Sequence, residues 1–501
     1  MDHFATFFKS NFSEISSPLV LGLALHRAWI ATFFFSAHNV VSADPSSTHL
    51  SSIYTVSLVA LTLVLLIGGF FPRAMKRFMW RRPVMVVAPL MMSVGSALLL
   101  LAINSGGTLA LSVLSGALTG LGSGLMLLYW GEFYGTSNAT TAKVHSALAF
   151  TLAVFIYTLF LLFSSMVMFV IAGTILPALS GFALMRSLPL STTEREVHPI
   201  PGGDFGMLRV AAAALIISFV HNALIVISLR SSQAAAPPSP LATETLYTLT
   251  LLISTFIIAT LIFAIIFLSQ KSDLGLIYRF VLIFFIIGAL FSPFGDMTQT
   301  FSSVVLNAGY SCFELIFWIA LSNISYRYHI QPLRVFGLGR AGWVIGVFLG
   351  GFYPPIPFME SVPATEFAAP FFMVSILIVL IVITYAFILP ERSIAAITTG
   401  FSSRQGNLQS RCAKLSQQYG LSQRENEVLV YLVKGRNLGF IKEALNISAG
   451  TVSTHRQRIY QKTGVHSRQE LLDLLEQTRS DEPDRESLAT LADKGGQKAK
   501  T

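Results

Sequence analysis

Apolar residues run almost unbroken through stretch after stretch of the first 389 positions, then give way to short stripes with helical spacing. A helix needs about 20 mainly apolar residues to cross the hydrocarbon core of a bilayer. About twelve segments meet that demand: 18–42, 51–71, 83–103, 110–134, 143–163, 165–185, 208–229, 245–269, 279–298, 301–325, 335–356 and 368–389. The pattern predicts an all-α chain, a polytopic bundle of six plus six spans followed by a small helical domain. The membrane domain is expected over 1–389, in halves 1–185 and 208–389, with the longest inner loop between them.

Beyond Leu389 the composition turns polar. Residues 390–410, PERSIAAITTGFSSRQGNLQS, read as a cytosolic linker; a flexible piece of about 18 residues spans roughly 23 Å. Four short helices follow. The first starts at Ser422, an N-cap with Glu425 three residues on as a capping box, and buries Val428, Leu429 and Leu432 before Lys434-Gly435 ends it. The second covers about Gly439–Leu445, with Ile441 and Leu445 inward. Ser448 caps the third, which runs to about Lys462 and stops at Gly464. Arg468–Gln477 forms the fourth, carrying Leu471, Leu472, Leu474 and Leu475. A second and third helix joined by so short a turn make a helix-turn-helix, whose later helix enters the major groove. The tail 478–501, mixed in charge and without aromatics, is expected to be disordered.

Composition and charge sharpen this division. Of the 501 residues, 53% are hydrophobic and only 12% charged, half the roughly 25% usual in soluble proteins. Lys and Arg favour cytoplasmic loops, and the loop after the second span carries Arg73, Lys76, Arg77, Arg81 and Arg82. That predicts both termini in the cytoplasm. The same parity puts Arg186, Arg195, Lys271, Arg279, Arg327 and Arg334 inside, with Arg230 the exception; Glu360 and Glu366 fall outside. The amino terminus lacks the build of a cleaved signal. Cys312 falls in a span and Cys412 in the cytosolic stretch, making neither a disulfide framework nor a metal cluster. We expect no metal and no cofactor. The chain shows no nucleophile–base set, metal cluster or phosphate loop, so it is not expected to be an enzyme.

The carboxy-terminal helices resemble the LuxR-type (GerE or NarL-type) DNA-binding domain. The resemblance rests on Leu421-Ser422, Arg424-Glu425, Glu427-Val428-Leu429, Gly435, Ile441, Leu445 and Ile447-Ser448. It continues through Thr451-Val452, His455, Ile459-Tyr460, Lys462, Gly464-Val465, Ser467-Arg468 and Glu470-Leu471. The preceding RCAKLSQQYG resembles the family's lead-in helix, which extends the domain to 411–477. It implies double-stranded DNA as partner, a homodimer on DNA through the fourth helix (Leu471, Leu472, Leu475), and backbone contacts from Thr451 and Lys462. Helical geometry puts Ser453, Thr454, Gln457 and Gln461 on one face of the third helix, and Val452, Ile459 and Thr463 opposite. Gln457 suits adenine and the Thr454 methyl suits thymine; His455, Arg456 and Arg458 flank them toward phosphates. The candidate DNA-binding set is thus Thr451, Val452, Ser453, Thr454, His455, Arg456, Gln457, Arg458 and Lys462. Ser453 stands where the family usually carries Lys or Arg, and Arg456 where it carries an apolar residue. Eight basic and six acidic residues over 421–477 give a charge of only +2, so one domain alone binds weakly.

In layout the membrane region resembles the major facilitator superfamily, two six-span halves related by a parallel repeat. His38-Asn39 in the first span is echoed by His221-Asn222 in the seventh, and Glu132 of the fourth by Glu314 of the tenth. The basic PRAMKRFMWRR sits at the family's loop motif without its acidic residue, and shared architecture does not imply shared transport. Charges inside spans are functional candidates: Glu132 and Glu314 are expected to line a central cavity, with Arg27 and His26. Gly116, Gly120, Gly124 and Gly342, Gly346, Gly350 form rows that allow close helix contact. The expected function is a membrane-tethered regulator, a one-component sensor whose membrane domain receives a small-molecule or proton signal. The alternative is a transporter with an appended regulatory DNA-binding domain.

Overall fold

The computed structural model describes residues 17–35, 47–104, 108–137, 139–162, 166–187, 203–234, 253, 256–257, 274–293, 295–328, 330–351, 368–398, 411–433, 438–445 and 447–477. Among these residues there is no β-strand. The chain divides into two compact units, Met1–Thr399 and Gly400–Thr501.

The first unit is built from α1 (Pro18–Ile30, continued as a π turn, Ala31–Phe35), α2 (Ser47–Phe70), α3 (Pro72–Met79), α4 (Arg82–Asn104), α5 (Leu109–Thr136) and α6 (Ala139–Leu162). It continues with α7 (Met166–Ser187), α8 (Gly203–Ala234), α9 (Leu274–Phe291), α10 (Gly295–Tyr328), α11 (Pro332–Gly351), α12 (Ala368–Ile383, continued as a π turn, Thr384–Ile388) and α13 (Glu391–Thr398). Among the described residues nine helices are long and apolar enough to cross a membrane, and Pro18–Phe33 and Tyr278–Phe291 are shorter apolar helices. Eleven of the expected spans therefore have a helix in place. The span expected at 245–269 lies almost wholly outside the described residues.

Packing divides the spans into enclosed and lipid-facing ones. The innermost span, α10, buries Phe313, Leu315, Phe317, Trp318 and Leu321. By contrast α2 exposes Leu63, Ile67 and Phe70, and α12 exposes Phe372 and Val379. Such faces suit lipid tails, which leave backbone polar groups to be satisfied internally. The first six spans meet the later ones where α2 packs on α11, and where α5 and α6 pack on α10. Each half also carries the same polar clasp. Ser115 of α5 donates to the Gly95 carbonyl of α4 at 2.7 Å, and Ser302 of α10 to the Gly288 carbonyl of α9 at 2.7 Å.

Both glycine rows are used inside the bundle. A Cβ on Gly116 would come within 2.7 Å of the Ile53 carbonyl on α2, and one on Gly342 within 2.8 Å of the Ala211 carbonyl on α8. Backbones that close leave no room for any side chain.

Two short helices lie outside the expected spans. The basic loop after the second span folds as α3, with Met75 and Met79 buried beneath its cations. The stretch expected to be flexible linker from Pro390 starts as α13, whose Ile394 is fully buried and which packs on α9 and α10. The rest of that linker and the tail 478–501 lie outside the described residues.

The second unit comprises α14 (residues 411–418), α15 (Gln423–Val433), α16 (Leu438–Leu445), α17 (Ala449–Thr463) and α18 (Arg468–Gln477). Its own core joins Cys412, Leu415, Val428, Leu429, Leu432, Ile441, Val452, Ile459, Val465, Leu471 and Leu475. Cys412 is therefore a core residue of a helix, and both it and Cys312 are buried and outside any disulfide.

Candidate functional site: a helix-turn-helix interface and a buried charge cluster

Local rules fix the frame of the second unit. The Ser422 amide donates to the Glu425 carboxylate at 2.7 Å, and the Glu425 amide to the Ser422 hydroxyl at 3.3 Å. This reciprocal pair is the capping box. Ser448 caps α17 by accepting from the Thr451 amide at 3.1 Å, and Gly464, at φ 71°, closes it in the left-handed region. Arg468 donates to the Leu432 carbonyl at 3.0 Å, tying α18 to the end of α15. Arg411 donates to the Leu475 carbonyl, which fastens the lead-in helix α14 to the same bundle.

With that frame set, α17 presents Thr451, Thr454, Gln457, Arg458 and Gln461 as exposed residues, while Ser453, His455 and Arg456 are half-buried. The Thr454 hydroxyl turns back to the Gly450 carbonyl at 3.0 Å, so its methyl is the group left for base contact. One member of the expected DNA-binding set lies elsewhere, and another has partners within the domain. Val452 is fully buried and belongs to the core, as its place opposite Gln457 requires. Lys462 is engaged, its ammonium 2.8 Å from Glu425 and donating to the Gly420 carbonyl at 3.0 Å.

The Glu425 carboxyl is thereby held below the usual carboxylate range. Burial pushes it up, and the Lys462 and Ser422 hydrogen bonds with the lysine charge outweigh that push. A depressed folded pKa contributes stability above the unfolded value, about 4.3 for Glu, and that contribution is lost as pH falls through the folded value. Acidification below about pH 4.3 is therefore expected to lower the urea midpoint of this unit less steeply in Glu425→Gln than in the parent. Glu470 retains its own part of the acid limb, held low by the His466 amide and the Ser467 hydroxyl.

The two glutamates expected inside the spans each meet basic partners. Glu314 of α10 binds Arg27 of α1 through both oxygens, at 2.8 Å and 2.5 Å, and Arg340 of α11 at 2.9 Å. The Arg27 guanidinium also lies 3.7 Å from the centre of the Phe150 ring. Glu132 pairs instead with Lys76 of α3 at 2.8 Å. Glu132 and Glu314 thus have different cationic partners, Lys76 for the one and Arg27 with Arg340 for the other. Glu132 follows the Ser115 clasp by 17 positions and Glu314 follows the Ser302 clasp by 12. That difference, about 7.5 Å of helix rise, carries Glu132 on to the end of α5 where the basic helix waits. His26 hydrogen-bonds Ser123 at 3.1 Å and stacks on Trp29. His221 stacks on Tyr310 at 3.9 Å, joining α8 to α10; His38 and Asn39 lie outside the described residues. Sequence reasoning missed Arg340, although a lone Arg within the predicted span 335–356 is itself the signal.

The profile of the bacterial regulatory proteins of the luxR family (GerE) matches residues 419–475. Residues 419–475 form a LuxR-type DNA-binding domain. The match begins just before the capping box and ends in α18, so it takes in the whole helix-turn-helix. No curated protein matches the chain.

The rest of the chain is similar in fold to solved transporters. The E. coli fucose:proton symporter is 12% identical with a TM-score of 0.52, over 75% of this chain and 99% of the symporter. A bacterial homologue of the iron transporter ferroportin is likewise 12% identical, with a TM-score of 0.52, over 76% of this chain and 98% of that one. The membrane unit has a major facilitator-like fold, and a likeness at this identity concerns fold alone. A LuxR-type domain following a multi-pass membrane unit is a protein that binds DNA and resides in a bilayer.

Proposed function

We propose that this chain is a bacterial transcription regulator tethered to the inner membrane, with both termini in the cytoplasm. The membrane unit receives a small-molecule or proton signal, and the LuxR-type domain delivers it to sequence-specific DNA sites. The observation that carries this reading is the union of the two units in one polypeptide. Orientation is supported by Arg73, Arg77, Arg81 and Arg82, grouped with Lys76 after the second span. The protein acts by binding, without catalysis, metal or cofactor of its own.

On DNA the reading expects two copies, because the net charge of +2 over 421–477 gives a single domain few phosphate contacts. Leu471 and Leu475 were both expected in the dimer surface, but they are consumed by the domain's own core. Half-buried Leu472 remains as the apolar contact that α18 offers a second copy.

Chromatin pull-down of the tagged full-length protein, followed by affinity measurements on the recovered sites, tests the reading. Gln457→Ala is expected to remove about 1–3 kcal/mol of discrimination at one base position. Arg458→Ala is expected to weaken all sequences alike and to reduce the salt slope by about one. No enriched sites, or saturable substrate flux in vesicles with no change in transcription, would count against regulation.

A further inference from the structure

Glu314 answers two guanidinium groups with one negative charge. Arg27, Arg340 and Glu314 come from three different helices, and their side chains are 16%, 5% and 11% exposed. Among the described residues neither arginine has a second carboxylate partner, so the group as described carries a net positive charge inside the bundle. The surrounding rings do not alter that sum: Arg340 lies 5.3 Å from the Trp343 ring centre and 5.8 Å from that of Trp318. Aromatic faces soften a cation without neutralising it. One donor is also idle, since the Arg340 Nε is buried and has no hydrogen-bond partner among the described residues. A buried positive charge is costly in a low-dielectric setting, and an unmet buried donor adds to that cost.

We propose that a small oxyanion, bearing a carboxylate or phosphate group, binds at Arg27 and Arg340 and is the signal this protein receives. Glu314 holds the two guanidinium groups in place and competes with the ligand for them. The planar donor forks of arginine match such groups bidentately, and the idle Nε of Arg340 supplies a donor that Glu314 leaves unused. This inference rests on the proposed reading of the membrane unit as a receiver, and it names the chemical class of what is received. Because the three residues span α1, α10 and α11, an anion between the arginines would bias how the two halves pack against each other. A ligand shifts such an equilibrium only through differential contacts of this kind.

The test uses the full-length protein in lipid nanodiscs, at constant ionic strength set with sodium chloride. Thermal unfolding is followed while inorganic phosphate or benzoate is titrated, with benzylamine as the cationic control. Binding to the native state raises the midpoint once the ligand exceeds its Kd, and the rise then continues with the logarithm of concentration. At least one oxyanion is expected to give that rise, and benzylamine none. Glu314→Gln removes the competing carboxylate, so its apparent Kd should fall roughly tenfold or more. Arg340→Gln should abolish the response, and Arg340→Lys should keep a weakened one. If Arg340→Gln does not fold, the direction of change in Glu314→Gln decides alone. No response to either oxyanion, or the same response in every variant, overturns the inference. The measurement involves no DNA. An anion-blind protein that still binds its sites therefore rejects the ligand class and leaves the regulator reading intact.

Discussion

Replacing Glu314 with alanine is expected to cost about 3–5 kcal/mol of stability, the usual penalty for leaving buried charges without their partner. The effect should appear as a lower thermal midpoint and a loss of monodisperse full-length protein. Two guanidinium groups that share Glu314 would then repel each other with nothing between them. Adding Arg340→Leu should recover part of the loss, because one of the stranded charges goes with it. Glu132→Ala provides the contrast. Its partner Lys76 has a side chain 58% exposed, so water replaces the carboxylate, and the cost is expected to stay below about 1 kcal/mol. Equal losses at Glu132 and Glu314 would contradict the difference drawn between a carboxylate with buried partners and one with an exposed partner.

The second large effect belongs to the DNA-binding unit. Leu471→Ala is expected to destabilise residues 411–477 by about 2–5 kcal/mol in urea unfolding, since Leu471 is fully buried among Leu429, Leu432 and Ile459 in that unit's core. Leu472→Ala, one position on and half-buried, should change that stability little and instead weaken paired binding to DNA. Alternate consequences from adjacent leucines follow from helix geometry, which turns neighbours about 100° apart. A stability loss at Leu472 matching that at Leu471 would remove α18 as a contact between copies.

Much of this was legible in the sequence because its signals are local. Ser448 and Gly464 bracket α17 by capping rules that involve only a few neighbouring residues. The Ser422 and Glu425 box needs three residues of separation and nothing else. Runs of apolar residues mark the spans for the same reason, since a bilayer sets their length. The glycine rows told where helices approach, though only the structure says which partner lies opposite.

What escaped was pairing at long range. Arg340 meets Glu314 across two helices, and nothing in the surrounding GLGRAGW announces a partner. Glu132 and Glu314 look alike in their halves, yet the helical positions relative to the Ser115 and Ser302 clasps differ enough to send them to different neighbours. The pairing of Lys462 with Glu425, 37 positions earlier, is likewise a contact that no local pattern announces. In α13 the spacing of Ile394 and Ile397 is a helical signal, outweighed by the polar residues around it. Each miss concerns a partner chosen by tertiary packing, which no local pattern encodes.

The central claim is that a membrane-embedded chain grips duplex DNA through its small carboxy-terminal unit. Fluorescence anisotropy of purified residues 411–501 with duplexes drawn from a random-sequence selection, repeated from low to physiological salt, tests it most directly. The account predicts enrichment of a defined sequence and an affinity that falls steeply as salt rises, as counterion release requires. A folded 411–501 with no salt-sensitive affinity for any duplex would contradict it.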